Sequence, residues 1–241
     1  MRQWLSQISY CDDPVRVFSY ESIDSTNMEL KRMGAPAGTV VCARYQSAGR
    51  GRLGRTFLSP DGGLYISFAI RMDGTMTATA KAAVAVAEAV KDTFDIDLKI
   101  KWLNDMLLGG RKVAGILAEG FYDRMIIGIG TNVITPQSSF SEDIRDTAAS
   151  LIGANGSEAA IEAYRDNLIR CFFSAIEKDC LESYRSRLST IGETVNVLQA
   201  GRTICMGLVT GITDSYHLMV RKSDGSVIEL STGEVSIRNQ Q

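Results

Sequence analysis

Three glycines and three arginines alternate in Gly49-Arg50-Gly51-Arg52-Leu53-Gly54-Arg55. Glycine lets backbone N–H groups come close to an anion, and guanidinium forks match carboxylate or phosphate oxygens in pairs, so this run offers anion capture. Its spacing also fits Gly-x-Gly-x-x-Gly, but a dinucleotide-binding fingerprint must open a helix, and Thr56-Phe57-Leu58-Ser59-Pro60-Asp61-Gly62-Gly63 is full of helix breakers. No P-loop is present, because Gly110-Arg111-Lys112-Val113 lacks both the upstream glycine spacing and the following Ser or Thr. The competing reading of the arginine run is a solvated basic loop or an Arg-Gly-Gly type nucleic-acid tail. Against it, the run is short, unrepeated and free of interleaved aromatics. Lys101 and Lys112 are further candidates for a charge at a reacting centre, although a lone lysine is ordinarily just solvated. Gly115, Gly128 and Gly130, inside predicted strands, point to a close backbone approach by a flat ligand or to a β-bulge.

The elements that must position these residues read as follows. Residues 15–20 form a short strand, and Thr26-Asn27-Met28-Glu29 fits a capping box that starts a helix near Ser25 and runs to about Met33. Residues 39–45 are a strand that runs into the aperiodic loop 46–55, 64–71 is a strand, and the alanine-rich 77–92 has the spacing of a buried helix. In 97–102 the apolar Leu98, Ile100 and Trp102 share one face, which leaves Asn104 and Asp105 just past the strand end. Residues 106–108 and 111–119 flank a Gly109-Gly110 turn as a hairpin, which brings Lys112 back toward that strand end. A strand at 125–133 and a helical stretch over 157–187, broken near Asp179-Cys180, complete the larger part. Beyond about residue 190, short β-type runs at 194–198, 203–212, 216–221, 227–230 and 234–238 alternate with turns and suit a small five-stranded barrel.

Composition narrows the function classes. The 241 residues are 45% hydrophobic and 22% charged, as in folded soluble proteins, with no apolar run of the length a membrane span needs and no signal-like start. Lys plus Arg number 26 against 28 Asp plus Glu, so any attraction for polyanions is local and neither a nucleic-acid nor a membrane partner is expected. The five cysteines are odd in number and form no C-x-x-C pair, which favours reduced thiols and a cytoplasmic location over a disulfide framework or zinc site. His217, the one histidine, lies in an alternating segment without a metal-ligating neighbour and reads as structural.

As a set, the motifs resemble the biotin protein ligase family. Gly49-Arg50-Gly51-Arg52-Leu53-Gly54-Arg55 is similar to that family's Gly-Arg-Gly-Arg-x-Gly-Arg loop, and Lys101-Trp102-Leu103-Asn104-Asp105 to its Lys-Trp-Pro-Asn-Asp motif. Lys112-Val113-Ala114-Gly115-Ile116-Leu117, Gly128-Ile129-Gly130-Thr131-Asn132-Val133 and Asp24-Ser25-Thr26-Asn27 resemble its two glycine-bearing strands and its helix start, with a weaker echo at Gly233-Glu234-Val235-Ser236-Ile237-Arg238. Leu103 departs from the usual proline and Thr131 from an aliphatic residue. Some members carry an N-terminal winged helix-turn-helix, which the 24 residues ahead of Ser25 are too few to hold, so a ligase without DNA-binding duty is expected.

The resemblance implies an α+β fold: a class II synthetase-like mixed sheet with helices packed on it over 1–190, and an SH3-like barrel over 191–241. It implies formation of biotinyl-5'-AMP from biotin and ATP, with release of pyrophosphate, then transfer of biotin to one lysine of a biotin carboxyl carrier protein or domain. The catalytic residues it implies are Lys112, Arg50 and Asp105. Biotin is assigned to Ser25, Thr26, Asn27, Gln46, Gly49, Arg50, Gly51, Arg52, Trp102, Lys112, Gly115, Leu117 and Gly128. ATP and the adenylate are assigned to Arg50, Arg52, Arg55, Phe57, Asn104, Lys112 and Asn132, with Phe57 and Asn132 on the adenine. Mg²⁺ accompanies ATP, with Asp105 as its candidate ligand, and a homodimer is left open. The nearest competitor is a lipoate or octanoate ligase or transferase of the same fold.

Overall fold

The computed structural model describes residues 2–71, 74–153, 156–199, 202–231 and 234–237. In chain order the elements are β1 (Arg2–Tyr10), β2 (Asp13–Ile23), α1 (Thr26–Arg32), β3 (Thr39–Gln46), β4 (Gly63–Ile70), α2 (Thr75–Phe94), β5 (Lys99–Lys101), β6 (Asp105–Leu108), β7 (Arg111–Phe121), β8 (Arg124–Asn132), α3 (Glu158–Glu177) and α4 (Leu181–Arg187). Then come β9 (Thr194–Gln199), β10 (Arg202–Ile212), β11 (Leu218–Arg221), β12 (Val227–Leu230) and β13 (Glu234–Ile237). Gly233 and Arg238 of the weak C-terminal motif lie outside the described residues.

Eight strands form one mixed sheet in the order β1-β2-β3-β4-β8-β7-β6-β5, antiparallel except for the β2/β3 pair. Every residue of β4, at the centre, is buried, because helices cover the sheet on both sides. Strand alternation sorts its side chains: Ile66 and Phe68 face the large core with α2 and α3, where Phe68 stacks on Phe172 at 3.8 Å between ring centroids. Ala69 faces the other way, into a small cluster with Leu30 of α1, Val41 and Ile126. The alanine-rich face of α2 allows close approach to both the sheet and α3, with Ala78, Ala82, Ala85 and Ala89 fully buried. Leu98, Ile100 and Trp102 are all buried, as their shared face predicts.

The C-terminal strands form a five-stranded antiparallel sheet in the order β12-β11-β10-β9-β13. The segment that leads from α4 into it is held to β5 by a parallel bridge between Ile100 and Leu188 and by the Ser189 amide donating to the Ile100 carbonyl at 2.9 Å. The expected break in the last helical stretch falls between α3 and α4.

Three features differ from the sequence reading. Residues 2–10, read only as unlike a signal, form the edge strand β1, paired with β2. The anticipated strand at 216–221 starts at Leu218, because Tyr216 turns the chain with a left-handed φ of 62°. The capping box does not form: Ser25 is the N-cap residue and makes no side-chain capping bond, while Glu29 accepts from Tyr20 at 2.9 Å and from Arg32. Thr26 spends its polar groups on Gln46 instead, which moves the helix start from self-capping into a side-chain network.

Candidate active site

The α1 face of the sheet carries a cleft of about 320 Å³, within the usual range for a small-molecule site. One end is built by the first turn of α1 and the end of β3. Gln46 Oε1 accepts from the Thr26 amide (2.8 Å) and hydroxyl (3.1 Å), and its Nε2 donates to Ser59 Oγ at 2.9 Å. Ser67 Oγ lies 2.7 Å from Thr26 Oγ1 and 2.6 Å from Asn27 Oδ1. Asn27 Nδ2 donates to Glu119 Oε2 at 2.8 Å, so both ends of that amide are held. Ser25, Thr26, Asn27 and Ser67 are all buried, and the side chains of Thr26, Asn27, Ser67 and Gln46 that bond one another are uncharged. Behind it, Glu119 also pairs with Lys31 at 3.0 Å. Burial alone would raise the Glu119 carboxyl, but the hydrogen bonds from Asn27 and Lys31 and the charges of Lys31 and Arg50 outweigh it, and the net shift is downward.

The arginine loop closes over the middle. Gly51 N donates to the Arg55 carbonyl at 2.7 Å and Phe57 N to the Gly49 carbonyl at 3.0 Å, a tight hairpin whose tip is the 3₁₀ turn Arg52–Gly54. Leu53 at that tip is left-handed (φ 56°) and 67% exposed. Phe57 is delivered onto β7 and β8. A Cβ built on Gly130 would lie 2.4 Å from its ring, and one on Gly115 3.0 Å. A Cβ on Gly128 would lie 2.3 Å from Asn27 Oδ1. The strand glycines therefore make room for the chain's own Phe57 and Asn27, a use that neither alternative read from the sequence, a flat ligand or a β-bulge, named.

The other end is charged. The β6–β7 hairpin sets Asp105 opposite Gly115 and, through a bulge at Met106/Leu107, brings Lys112 Nζ to 2.7 Å from Asp105 Oδ1. Lys112 also sits 5.7 Å from the Phe57 ring centroid. Its main chain is clamped by residues 147–149: Lys112 N donates to the Thr147 carbonyl (2.7 Å) and Ala149 N to the Lys112 carbonyl (2.9 Å). Arg52 Nη1 donates to Asn104 Oδ1 at 2.9 Å, and Asn104 Nδ2 donates to the Ile116 carbonyl at 3.1 Å. Arg50 points elsewhere: its Nη1 is 3.2 Å from Met28 Sδ and 3.6 Å from Glu119 Oε1, at the α1 end. The Trp102–Leu103 peptide in this region is cis.

Of the residues singled out by the sequence, Ser25, Thr26, Asn27, Gln46, Arg50, Gly51, Arg52, Arg55, Phe57, Trp102, Asn104, Asp105, Lys112, Gly115, Leu117 and Gly128 line the cleft. Gly49 and Asn132 do not. A Cβ on Gly49 would lie 2.3 Å from the Phe57 carbonyl, so this glycine serves loop closure. Asn132 lies two residues beyond Gly130 on the same strand face and is buried. Its Nδ2 donates to the Ala149 carbonyl at 3.2 Å, while its Oδ1 has no partner among the described residues. Sequence reasoning missed Thr56 and Ile129 in the lining, Ser67 and Glu119 behind it, and Leu198, which arrives from the C-terminal sheet. Lys101, named from the sequence as a candidate cation, lines the cleft, whereas Leu198 carries no local signal. Among the described residues, no group of three or more His, Cys, Asp or Glu side chains gathers as a metal cage.

Comparison with known proteins bears on this geometry. Residues 19–132 match the biotin/lipoate A/B protein ligase family and residues 190–238 the biotin protein ligase C-terminal domain. The biotin–[acetyl-CoA-carboxylase] ligase of Paracoccus denitrificans is 30% identical over 227 residues, covering 84% of this chain and 92% of that protein. The bifunctional ligase/repressor BirA of Bacillus subtilis is 38% identical over 161 residues, 63% of this chain and 50% of the relative. The chain thus spans about half the length of that relative. Among solved structures, a biotin protein ligase from Aquifex aeolicus in complex with biotin and ATP superposes with a TM-score of 0.83 at 28% identity, over 93% of this chain and 99% of that one.

Proposed function

Since this chain belongs to the biotin protein ligase family, we propose that it joins biotin to ATP as biotinyl-5'-AMP and passes the biotinyl group to a lysine of a biotin carboxyl carrier protein or domain. The observation that carries this reading is the two-ended cleft, in which a buried uncharged hydrogen-bond network and a cluster of cations share one cavity. Biotin has the matching polarity. Its ureido ring needs fixed neutral donors and acceptors, which Ser25, Thr26, Asn27 and Gln46 supply at the α1 end, and Trp102 and Leu117 wall its apolar part. Its carboxylate then extends toward Lys112 and Arg52.

In the first step a carboxylate oxygen attacks the α-phosphorus of ATP, the bond from phosphorus to the pyrophosphate oxygen breaks, and pyrophosphate leaves. Negative charge on the non-bridging oxygens is met by Lys112, whose backbone is clamped on both sides, with Arg52 and Arg55 on the phosphates. Phe57 offers a flat partner for adenine, and the unpartnered Oδ1 of Asn132 suits its exocyclic amine. Mg²⁺ would arrive with the triphosphate rather than as a resident ion, and Asp105 is the carboxylate that would help hold it. Bound there, it offsets phosphate charge. In the second step the lysine amine attacks the acyl carbon and AMP leaves, with Asp105 placed to take the amine proton. The proposed division is a catalytic unit over 1–190 and a barrel over 191–241, in a cytoplasmic enzyme.

ATP–pyrophosphate exchange tests the reading with biotin, lipoate, octanoate or no acid added. Exchange with biotin alone is expected. Exchange with lipoate or octanoate instead would move the chain to the sister activity, and none with any acid would overturn acid activation altogether.

A further inference from the structure

Trp102 forms part of the cleft wall, yet its indole nitrogen bonds to the C-terminal part of the chain. Nε1 donates to the carbonyl of Tyr216, 2.9 Å away, in the turn between β10 and β11. One residue on, the Leu103 carbonyl accepts from the Tyr184 hydroxyl of α4, also at 2.9 Å. The two tyrosines lock together edge to face, with ring centroids 5.4 Å apart and planes at 87°. The turn is fixed as well: Tyr216 N donates to the Thr213 carbonyl at 2.9 Å, and Thr213 N to the His217 carbonyl at 2.9 Å. Tyr184 is fully buried and Trp102 nearly so.

Packing alone does not call for the Tyr184 hydroxyl, because phenylalanine fills almost the same volume. The hydroxyl holds the carbonyl immediately ahead of Asn104 and Asp105. Asn104 in turn holds Arg52, and Asp105 holds Lys112. We infer that Tyr184, braced by the Tyr216 turn, is a positioning residue that sets where the charged end of the cleft presents Arg52 and Lys112. The C-terminal sheet is then part of the scaffold of the adenylation site, through Tyr216 on Trp102 and through Leu198 in the lining. This inference rests on the ligase reading above.

The test is steady-state biotin-dependent ATP–pyrophosphate exchange on the full chain, comparing Tyr184→Phe with Tyr164→Phe. Tyr164 is an equally buried tyrosine whose hydroxyl meets Thr131 at 3.1 Å in the core on the far side of the sheet. Both variants lose one buried hydroxyl contact, so a purely structural role affects them alike. For Tyr184→Phe, kcat is expected to fall about tenfold and the KM for ATP to rise, with the KM for biotin within about twofold; small misplacements of catalytic groups have effects of this order. Tyr164→Phe is expected to keep wild-type constants at a matched Tm. Equal constants in the two variants, or a parallel rise in the biotin KM of Tyr184→Phe, would overturn the inference. Should Tyr184→Phe not fold, Tyr216→Leu, which removes the edge-to-face ring contact that braces Tyr184, decides: a drop in kcat of about threefold with the same KM pattern supports the inference, and wild-type constants overturn it. Absence of exchange in the wild-type chain is a different failure, that of the ligase reading itself.

Discussion

The two ends of the cleft solve recognition in opposite ways. At the α1 end, buried Thr26, Asn27 and Ser67 and half-buried Gln46 are uncharged and already hydrogen-bonded to one another, so a ligand meets fixed dipoles that need little reorganisation. At the β6–β7 end, Lys112 and Asp105 remain about one third exposed, and the cations rest on internal acceptors: Lys112 on Asp105, Arg52 on Asn104. Such half-exposed pairs contribute little to stability, so their partners can be exchanged for a ligand anion at small cost. Under the proposed function the contrast is a division of labour, with affinity and discrimination assigned to the neutral end and transition-state charge to the charged end.

Substitutions at each end can break that division. Lys112→Ala has the largest expected effect: exchange falls by about 10²-fold or more, the size of losing one transition-state charge contact, while circular dichroism stays at wild type. Gln46→Leu acts on the other end. It strands the Thr26 amide and hydroxyl, and calorimetry should show biotin bound about 10- to 100-fold more weakly. Gly130→Ala pushes a methyl against the Phe57 ring, and kinetics should show a KM for ATP raised about tenfold with that for biotin little changed. The smallest effect belongs to Glu119, whose folded-state carboxyl lies below its ordinary value of 4.5. A depressed carboxyl stabilises the fold above its unfolded value, and that stabilisation is lost as pH falls through the folded value. Between about pH 6 and about pH 3, Tm of the wild type should therefore fall more steeply than that of Glu119→Gln.

What could be read in the sequence followed the range of the interactions. The Gly-Arg loop, the Lys112 hairpin and the Asn104-Asp105 strand end were legible because turn glycines and alternation are local signals. The strand β1 was not, because its pairing with β2 depends on tertiary context rather than on a clear alternation in residues 2–10. The capping box misled because Gln46, distant in sequence, outcompetes the local cap for Thr26. Ser67, Glu119 and Leu198 were missed for the same reason, as nothing near them in sequence marks the contacts they make. The glycines of β7 and β8 were noticed, but what fills their space is set by where the loop delivers Phe57 and where α1 delivers Asn27.

The most direct test of the two-ended account is calorimetric binding of biotinol, in which the carboxylate of biotin is replaced by a neutral hydroxymethyl group. The account predicts that Lys112→Ala binds it within about twofold of wild type while Gln46→Leu binds it at least about tenfold more weakly. Equal losses in the two variants, or a loss confined to Lys112→Ala, would contradict the division of labour between the ends.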